Sequence, residues 1–237
     1  MNASIQMPPR EFQTLVCGPD HTHLFDEAGR WLVEVLNHEG MLKPGSDFLD
    51  IGCGCGRVAR YLLSSPIRSY TGFDRHTGMI DWCKQEIGDP RFKFDFFGLK
   101  SVYTAWDNHE GTVDVDKFAF PYAPKSFDSC LLASLFTHMP PQEARHYLGE
   151  LARVMRPDGK ILLSVFFSAR VKVETHDDGV NVFYNSKEFE ADLQRSSFAA
   201  HRTGYSFTPG VTFEPGTVTR ALQFDYVHNW YVLTKRP

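Results

Sequence analysis

Nowhere in the 237 residues is there a run approaching the ~20 apolar residues that a membrane-spanning helix needs. The opening stretch MNASIQMPPREF has no apolar segment of the secretory type, so a cytoplasmic protein is the expectation. An excess of positive charge is also missing. Lys and Arg number 25 against 29 Asp and Glu, a formal net charge of −4, which argues against a nucleic-acid partner because such proteins carry a basic face. Cysteine is scarce, scattered and odd in number (positions 17, 53, 55, 83 and 130), which excludes a disulfide framework and fits free thiols in a reducing compartment. Internal repeats, low-complexity tracts and a linker that would divide the chain are absent, so residues 1–237 read as one domain.

What is present is an alternation of short apolar runs with helix-period segments. DFLDI (47–51), SYTGFD (69–74), RFKFDFF (91–97), FDSCLLAS (127–134) and KILLSVFF (160–167) read as five buried strands. Between them, 57–65 and 77–87 read as helices, the latter with Thr77 as N-cap. Ala144, Tyr147, Leu148, Leu151, Val154 and Met155 fall on one helical face that opens at Pro140-Pro141 and closes at the turn sequence RPDG (156–159). Strands alternating with helices imply right-handed crossovers and a doubly wound, mainly parallel α/β sheet. Three segments fall outside this rhythm: an N-terminal cap within 1–40 whose helix spans 23–40, a long connection over 98–126, and a lid or substrate region over 170–220. Within the last stretch and beyond it, 205–226 and 229–236 read as strands that close the sheet antiparallel.

The most informative stretch is DFLDIGCGCGR. Cys53 and Cys55 invite a metal reading, but zinc and iron–sulfur sites take about four ligands and no second pair is near, so no metal is assigned. Gly52, Gly54 and Gly56 after a first strand permit a tight turn and close approach of a ligand to the backbone. The dinucleotide fingerprint is G-x-G-x-x-G; here the spacing is G-x-G-x-G, with Asp50 just before it. A carboxylate there repels a pyrophosphate and suits a cationic or amine-bearing ligand.

These residues resemble motif I of the class I S-adenosylmethionine (SAM)-dependent methyltransferases. YTGFD, ending in Asp74, is similar to that family's ribose-binding strand end, and FDSCLLASLFTHM and LARVMRPDGKILLSVF are similar to its fourth-strand and following motifs. The resemblance covers residues 30–168. It implies a Rossmann-like, mostly parallel seven-stranded sheet with an antiparallel C-terminal strand, helices on both faces, and SAM (S-adenosyl-L-methionine) as cofactor. It further implies that the backbone of Gly52, Cys53, Gly54 and Gly56, with Arg57, lies along the methionine and ribose, and that Asp50 sits near the ammonium group. Asp74 would accept from the ribose hydroxyls, Arg75 and Met79 would flank the adenine, Phe96 and Phe97 would meet its edge, and Ser134 and Leu135 would stand where cofactor and acceptor join. The acid usual after the third strand is missing; Asp95 lies early.

By the same resemblance the reaction is methyl transfer. His138 is the candidate general base, with His21 and His23 next; a structural or helix-capping histidine is the competing reading for His138, as a cap is for Asp74. No N/D-P-P-Y motif follows the fourth strand, and the overall pattern is similar to bacterial methyltransferases of small molecules or saccharides. A hydroxyl of a small or sugar-like acceptor is therefore expected, with Tyr103, Trp106, His109 and Phe118 as aromatic walls. N-methylation of a small amine, a catalytically silent SAM-binding regulator and a nicotinamide oxidoreductase are the alternatives.

Overall fold

The computed structural model describes residues 6–100, 111–176, 179–207 and 228–237. Five strands run parallel: β1 (Asp47–Ile51), β2 (Ser69–Asp74), β3 (Phe92–Phe96), β4 (Phe127–Leu132) and β5 (Met155–Ser168). With β8 (Phe198–Arg202) and β9 (Asn229–Lys235) they form a seven-stranded sheet in the order β3-β2-β1-β4-β5-β9-β8, β9 lying antiparallel to both neighbours. A hairpin of β6 (Lys172–His176) and β7 (Gly179–Asn185) extends the sheet where β7 pairs with Phe166–Ser168.

The pleat sends successive side chains to opposite faces, and both faces are covered. Leu49 and Ile51 of β1, Cys130 and Leu132 of β4, and Ile161 and Leu163 of β5 join one core with α5 (Pro141–Val154) and α6 (Ser186–Arg195). Phe48, Leu131 and Leu162 join the other, with α2 (Phe25–His38), α3 (Ala59–Leu62) and α4 (Thr77–Glu86). All six residues of the apolar face read from the sequence for α5 are buried, each contributing ~1.5–3 kcal/mol where the side chain is large. Gly29 lets α2 settle on the glycine loop: a Cβ there would stand 2.6 Å from the Arg57 carbonyl.

Several elements differ from the sequence reading. α1 (Arg10–Cys17) precedes a 3₁₀ turn at Pro19–Leu24, so α2 starts later than position 23. RPDG is absorbed into β5 as an irregularity between Phe127 and Ser129 of its partner, with Asp158 at φ 61°. His76, not Thr77, caps α4, its Nδ1 accepting from Met79 N at 3.2 Å. The described part of the 98–126 connection fills the core: Phe118 packs 4.9 Å from Phe97, ring to ring, and Phe120 5.5 Å from Phe73. Phe118 is thus no wall of a binding site. Tyr103, Trp106 and His109 lie outside the described residues, as does 208–226 of the strand expected over 205–226; residues 205–207 are described and are not in a strand.

Candidate functional site

The sheet reverses its winding between β1 and β4, and in such sheets the crevice beyond the strand C-termini is the natural ligand site. There β1 gives way to the glycine loop. Gly52 (φ 75°) and Gly54 (φ 54°) both need the left-handed backbone that a side chain resists. Gly52 N and Cys53 N donate to Phe73 O at 2.9 and 3.1 Å, and Gly54 N donates to Asp74 Oδ2 at 2.9 Å. The other oxygen of Asp74 accepts from His76 N at 2.9 Å. Asp74 therefore ties the loop after β1 to the turn after β2, while the capping role belongs to His76.

A cleft opens over this arrangement. Asp50, Gly52, Cys53, Gly54 and Arg57 line it from β1 and the loop; Asp74, Arg75 and Met79 from the end of β2 and α4; Ser134, Leu135 and His138 from the segment after β4. Three of the expected residues do not. Gly56 is a packing glycine, since a Cβ there would meet Cys83 Sγ and Ile87 Cδ1 at 3.1 Å. Phe96 ends the edge strand β3 exposed, and Phe97 turns into the aromatic cluster with Phe73 at 5.3 Å. Asp95 accepts from Tyr122 O–H at 3.1 Å. His21 and His23 stand on the turn between α1 and α2, outside the cleft lining. Sequence reasoning missed His76 and, although it expected a cap within 1–40, missed helix α1: its Leu15 and Val16 line the cleft, and a Cβ on Gly54 would come within 3.0 Å of Val16 Cγ2.

Cys53 and Cys55 point into different cores, and burial pushes the Cys55 thiol up to about 12, so both are inert fillers. The cleft's polar anchor is Asp50. It is buried, and Tyr70 O–H donates to its Oδ2 at 2.7 Å; among the described residues its other oxygen has no donor. Burial pushes its carboxyl up to about 7, against the Tyr70 bond and the Arg57 charge, with Asp74 adding to the rise. Burial raises Asp74 too, opposed by its two backbone donors.

At the far wall, His138 Nδ1 lies 2.6 Å from Val180 O on β7. A carbonyl only accepts, so Nδ1 carries the proton and Nε2 is the basic nitrogen of the neutral ring. Burial lowers the His138 pKa, and the Val180 bond partly offsets this. Ser134 holds φ 59°, a left-handed conformation unusual for serine and kept in place from both sides: its N–H donates to Ser164 Oγ at 2.9 Å and its carbonyl accepts from Thr137 Oγ1 at 2.6 Å. Ser164 in turn reaches His228 Nδ1 at 3.1 Å.

Residues 49–163 match the sequence model of a methyltransferase domain. The methyltransferase GfsG of Streptomyces halstedii is 25% identical over 142 residues, 58% of this chain and 44% of that protein. The 27-O-demethylrifamycin SV methyltransferase of Amycolatopsis mediterranei is 25% identical over 182 residues, 77% of this chain and 61% of the relative. The chain thus spans about half the length of these relatives. Among solved structures, the Burkholderia thailandensis 1,6-didemethyltoxoflavin-N1-methyltransferase, bound to its acceptor and S-adenosylhomocysteine (SAH), superposes with a TM-score of 0.58 at 18% identity, covering 99% of this chain and 95% of that one. The residues present fit a sulfonium amino acid with a nucleoside. Asp50, with one oxygen that has no donor among the described residues, lines the cleft, a Cβ on Gly54 would crowd Val16 of α1 at 3.0 Å, and Met79, Leu135 and Val16 supply apolar walls. Residues 49–163 thus match a methyltransferase domain, and the fold is that of the solved SAM-dependent methyltransferase.

Proposed function

We propose that the protein methylates a hydroxyl of a small molecule, with His138 as general base. The observation that carries this is the placement of His138 in the same cleft as the glycine loop, in the tautomer that leaves Nε2 basic. When bound, SAM supplies an electrophilic methyl on a sulfonium that leaves as a thioether. The chain's own residues do the rest. Asp50 holds the ammonium, Asp74 keeps lone pairs for the ribose hydroxyls beyond those given to Gly54 and His76, and Arg75 and Met79 border the base. Gly52, Cys53, Gly54 and Arg57 follow the methionine part, and Ser134 and Leu135 border the acceptor. His138 Nε2 takes the hydroxyl proton as the new C–O bond forms, and a pKa below the ordinary histidine value keeps it unprotonated at neutral pH. Relatives whose names give the methylated atom as oxygen support a hydroxyl acceptor.

Transfer of labelled methyl from SAM to a panel of hydroxylated small molecules tests the reaction. His138→Ala should lower kcat by roughly 10²–10⁴-fold with SAH affinity unchanged. A folded variant with unaltered kcat, where chemistry limits the rate, removes His138 as base and favours an amine acceptor, whose lone pair needs no such group.

A further inference from the structure

The turn that carries His138 is short, and two prolines cut it off. Phe136–His138 form a single 3₁₀ turn, closed by His138 N–H to Leu135 O at 3.0 Å and Met139 N–H to Phe136 O at 3.3 Å. Pro140 and Pro141 follow at once. Neither has an N–H to return to the carbonyls of Thr137 and His138, so the turn cannot extend itself. Where α5 begins, Ala144 N–H goes back to Pro140 O at 3.1 Å, one residue past Met139. The carbonyl of the buried Met139 therefore has no main-chain donor among the described residues. Buried carbonyls need one. Tyr184 of β7 supplies it through its O–H.

β7 thus grips the turn at two consecutive residues: His138 Nδ1–H donates to Val180 O at 2.6 Å, and Met139 O accepts from Tyr184. Val180 and Tyr184 are four residues apart on one face of the strand. The two halves of β7 are anchored differently. Phe183, Tyr184 and Asn185 pair with Phe166, Phe167 and Ser168 of β5, whereas Val180 pairs with Thr175 of β6, beyond the reach of β5. The Tyr184 ring is buried and packs edge-on against Phe189 of α6 at 5.2 Å, which fixes its hydroxyl against the core. Hydrogen bonds weaken steeply with lost distance and angle. A turn released at Met139 would loosen the Val180 bond, and either ring nitrogen of His138 could then carry the proton.

Resting on the reading of His138 as general base, we infer that Tyr184 is a positioning residue for that base. By tying Met139 to the anchored half of β7, it keeps His138 against Val180 O with Nε2 as the basic nitrogen. The β6–β7 hairpin then belongs to the methyl-transfer site, although neither Val180 nor Tyr184 lines the cleft.

Long-range ¹H–¹⁵N correlation spectra of ¹⁵N-histidine-labelled protein read the His138 tautomer directly, without cofactor or acceptor. The wild type should show Nδ1–H alone, and Tyr184→Phe, which deletes one oxygen and keeps the ring, a mixture. Tyr231→Phe is the control. Tyr231 is also buried and packs on Phe189, at 5.5 Å, but its O–H goes to Glu190 at 2.9 Å, so its loss should move neither the tautomer nor kcat. With labelled SAM and the hydroxylated small molecule that the acceptor panel selects, Tyr184→Phe should lower kcat about three- to tenfold, the worth of one neutral hydrogen bond, with KM for SAM unchanged. Added to His138→Ala it should lower kcat no further, because a residue that acts through another is not additive with it. Wild-type His138 found as Nε2–H, a lone Nδ1–H tautomer retained in Tyr184→Phe, or an equal loss of kcat with and without His138 each overturns the inference. Unaltered kcat in His138→Ala counts against the base reading instead, while the tautomer in the free protein still decides whether Tyr184 holds His138.

Discussion

Asp47 and Asp50 lie on the same five-residue strand and meet opposite treatment. At the N-terminal end, Asp47 accepts from Arg68 Nε at 2.9 Å, Ser69 Oγ at 2.6 Å and Arg156 Nη2 at 2.8 Å, and pairs again with Arg68 Nη2. Arg156 also reaches Asp128 at 2.5 Å, and Asp128 accepts from Asp47 N at 2.8 Å, so one network fastens β1, β2, β4 and β5. Burial pushes Asp47 up, but these donors outweigh it and hold the carboxyl at about 2. At the C-terminal end, Asp50 is deeper in the protein, has Tyr70 as its one donor among the described residues, and rises to about 7. One end of the strand satisfies its charge to hold the sheet together. The other leaves a charge unsatisfied where a cationic ligand would complete it.

The largest consequence belongs to Asp50. Its folded pKa is raised above the unfolded value of 3.8, so its contribution to stability is fully present below about 3.8 and lost as pH rises through about 7. The shift corresponds to ~4 kcal/mol. Cofactor-free wild type should lose stability relative to Asp50→Asn between pH 5 and 8, measured by denaturant unfolding at each pH. SAH, whose ammonium favours the ionised carboxylate, should bind more weakly as pH falls from 7 to 5, approaching tenfold per unit, and Asp50→Asn should flatten that slope. Parallel pH profiles for the two proteins would contradict the role given to Asp50.

Next in size is the network at the other end. Arg156→Met removes a cation shared by two carboxylates. Breaking a buried pair costs ~3–5 kcal/mol, and because Arg156 is about one-third exposed the lower figure, ~3 kcal/mol, applies. SAH affinity should not change. A drop in affinity with stability intact would mean the two ends are not separable. Smaller again is the acid limb. The folded pKa of Asp47 is depressed, so its contribution is present above the unfolded value of 3.8 and lost as pH falls through about 2. The expected loss is ~2 kcal/mol, seen as acid unfolding that Asp47→Asn makes less steep.

The contrast also separates what the sequence discloses from what it conceals. β1 to β5 were legible because each is a short apolar run bounded by turn residues, and the cleft followed from glycine spacing and two strand-end acids. α1 was hidden by its eight-residue length and its Thr, Val and Cys, which favour helix weakly. The β6–β7 hairpin did leave a signal: valines alternate in VKVETH and VNVFYN on either side of Asp177-Asp178-Gly179, the pattern of a hairpin. Phe96 and Phe97 were misplaced because a family pattern fixes position along a strand but not which way the last side chains turn. His228 had no local signal at all. Its partner Ser164 did, as a lone polar residue within the apolar run KILLSVFF, but only the pairing of β5 with β9 joins the two.

The smallest effect sharpens the comparison most. Asp47 keeps its charge because several donors surround it; among the described residues Asp50 has one, the buried Tyr70 hydroxyl. Tyr70→Phe deletes that hydroxyl and keeps the ring stacked against Phe92, 4.9 Å away, and Phe48, 6.0 Å away. Below pH 7 Asp50 is mostly protonated, so the loss there is that of a neutral hydrogen bond, ~1 kcal/mol. The Tyr70 bond also holds the Asp50 pKa down, so its removal should raise that pKa further. The pH at which SAH binding reaches half its high-pH strength should therefore move upward in Tyr70→Phe, with affinity at high pH little altered because the ammonium then supplies the counter-charge. Calorimetric titration with SAH across pH 5–7.5 measures the midpoint. An unmoved midpoint with ~1 kcal/mol lost from stability would show that Tyr70 supports the fold without tuning the carboxylate, and that burial alone sets Asp50 apart from Asp47.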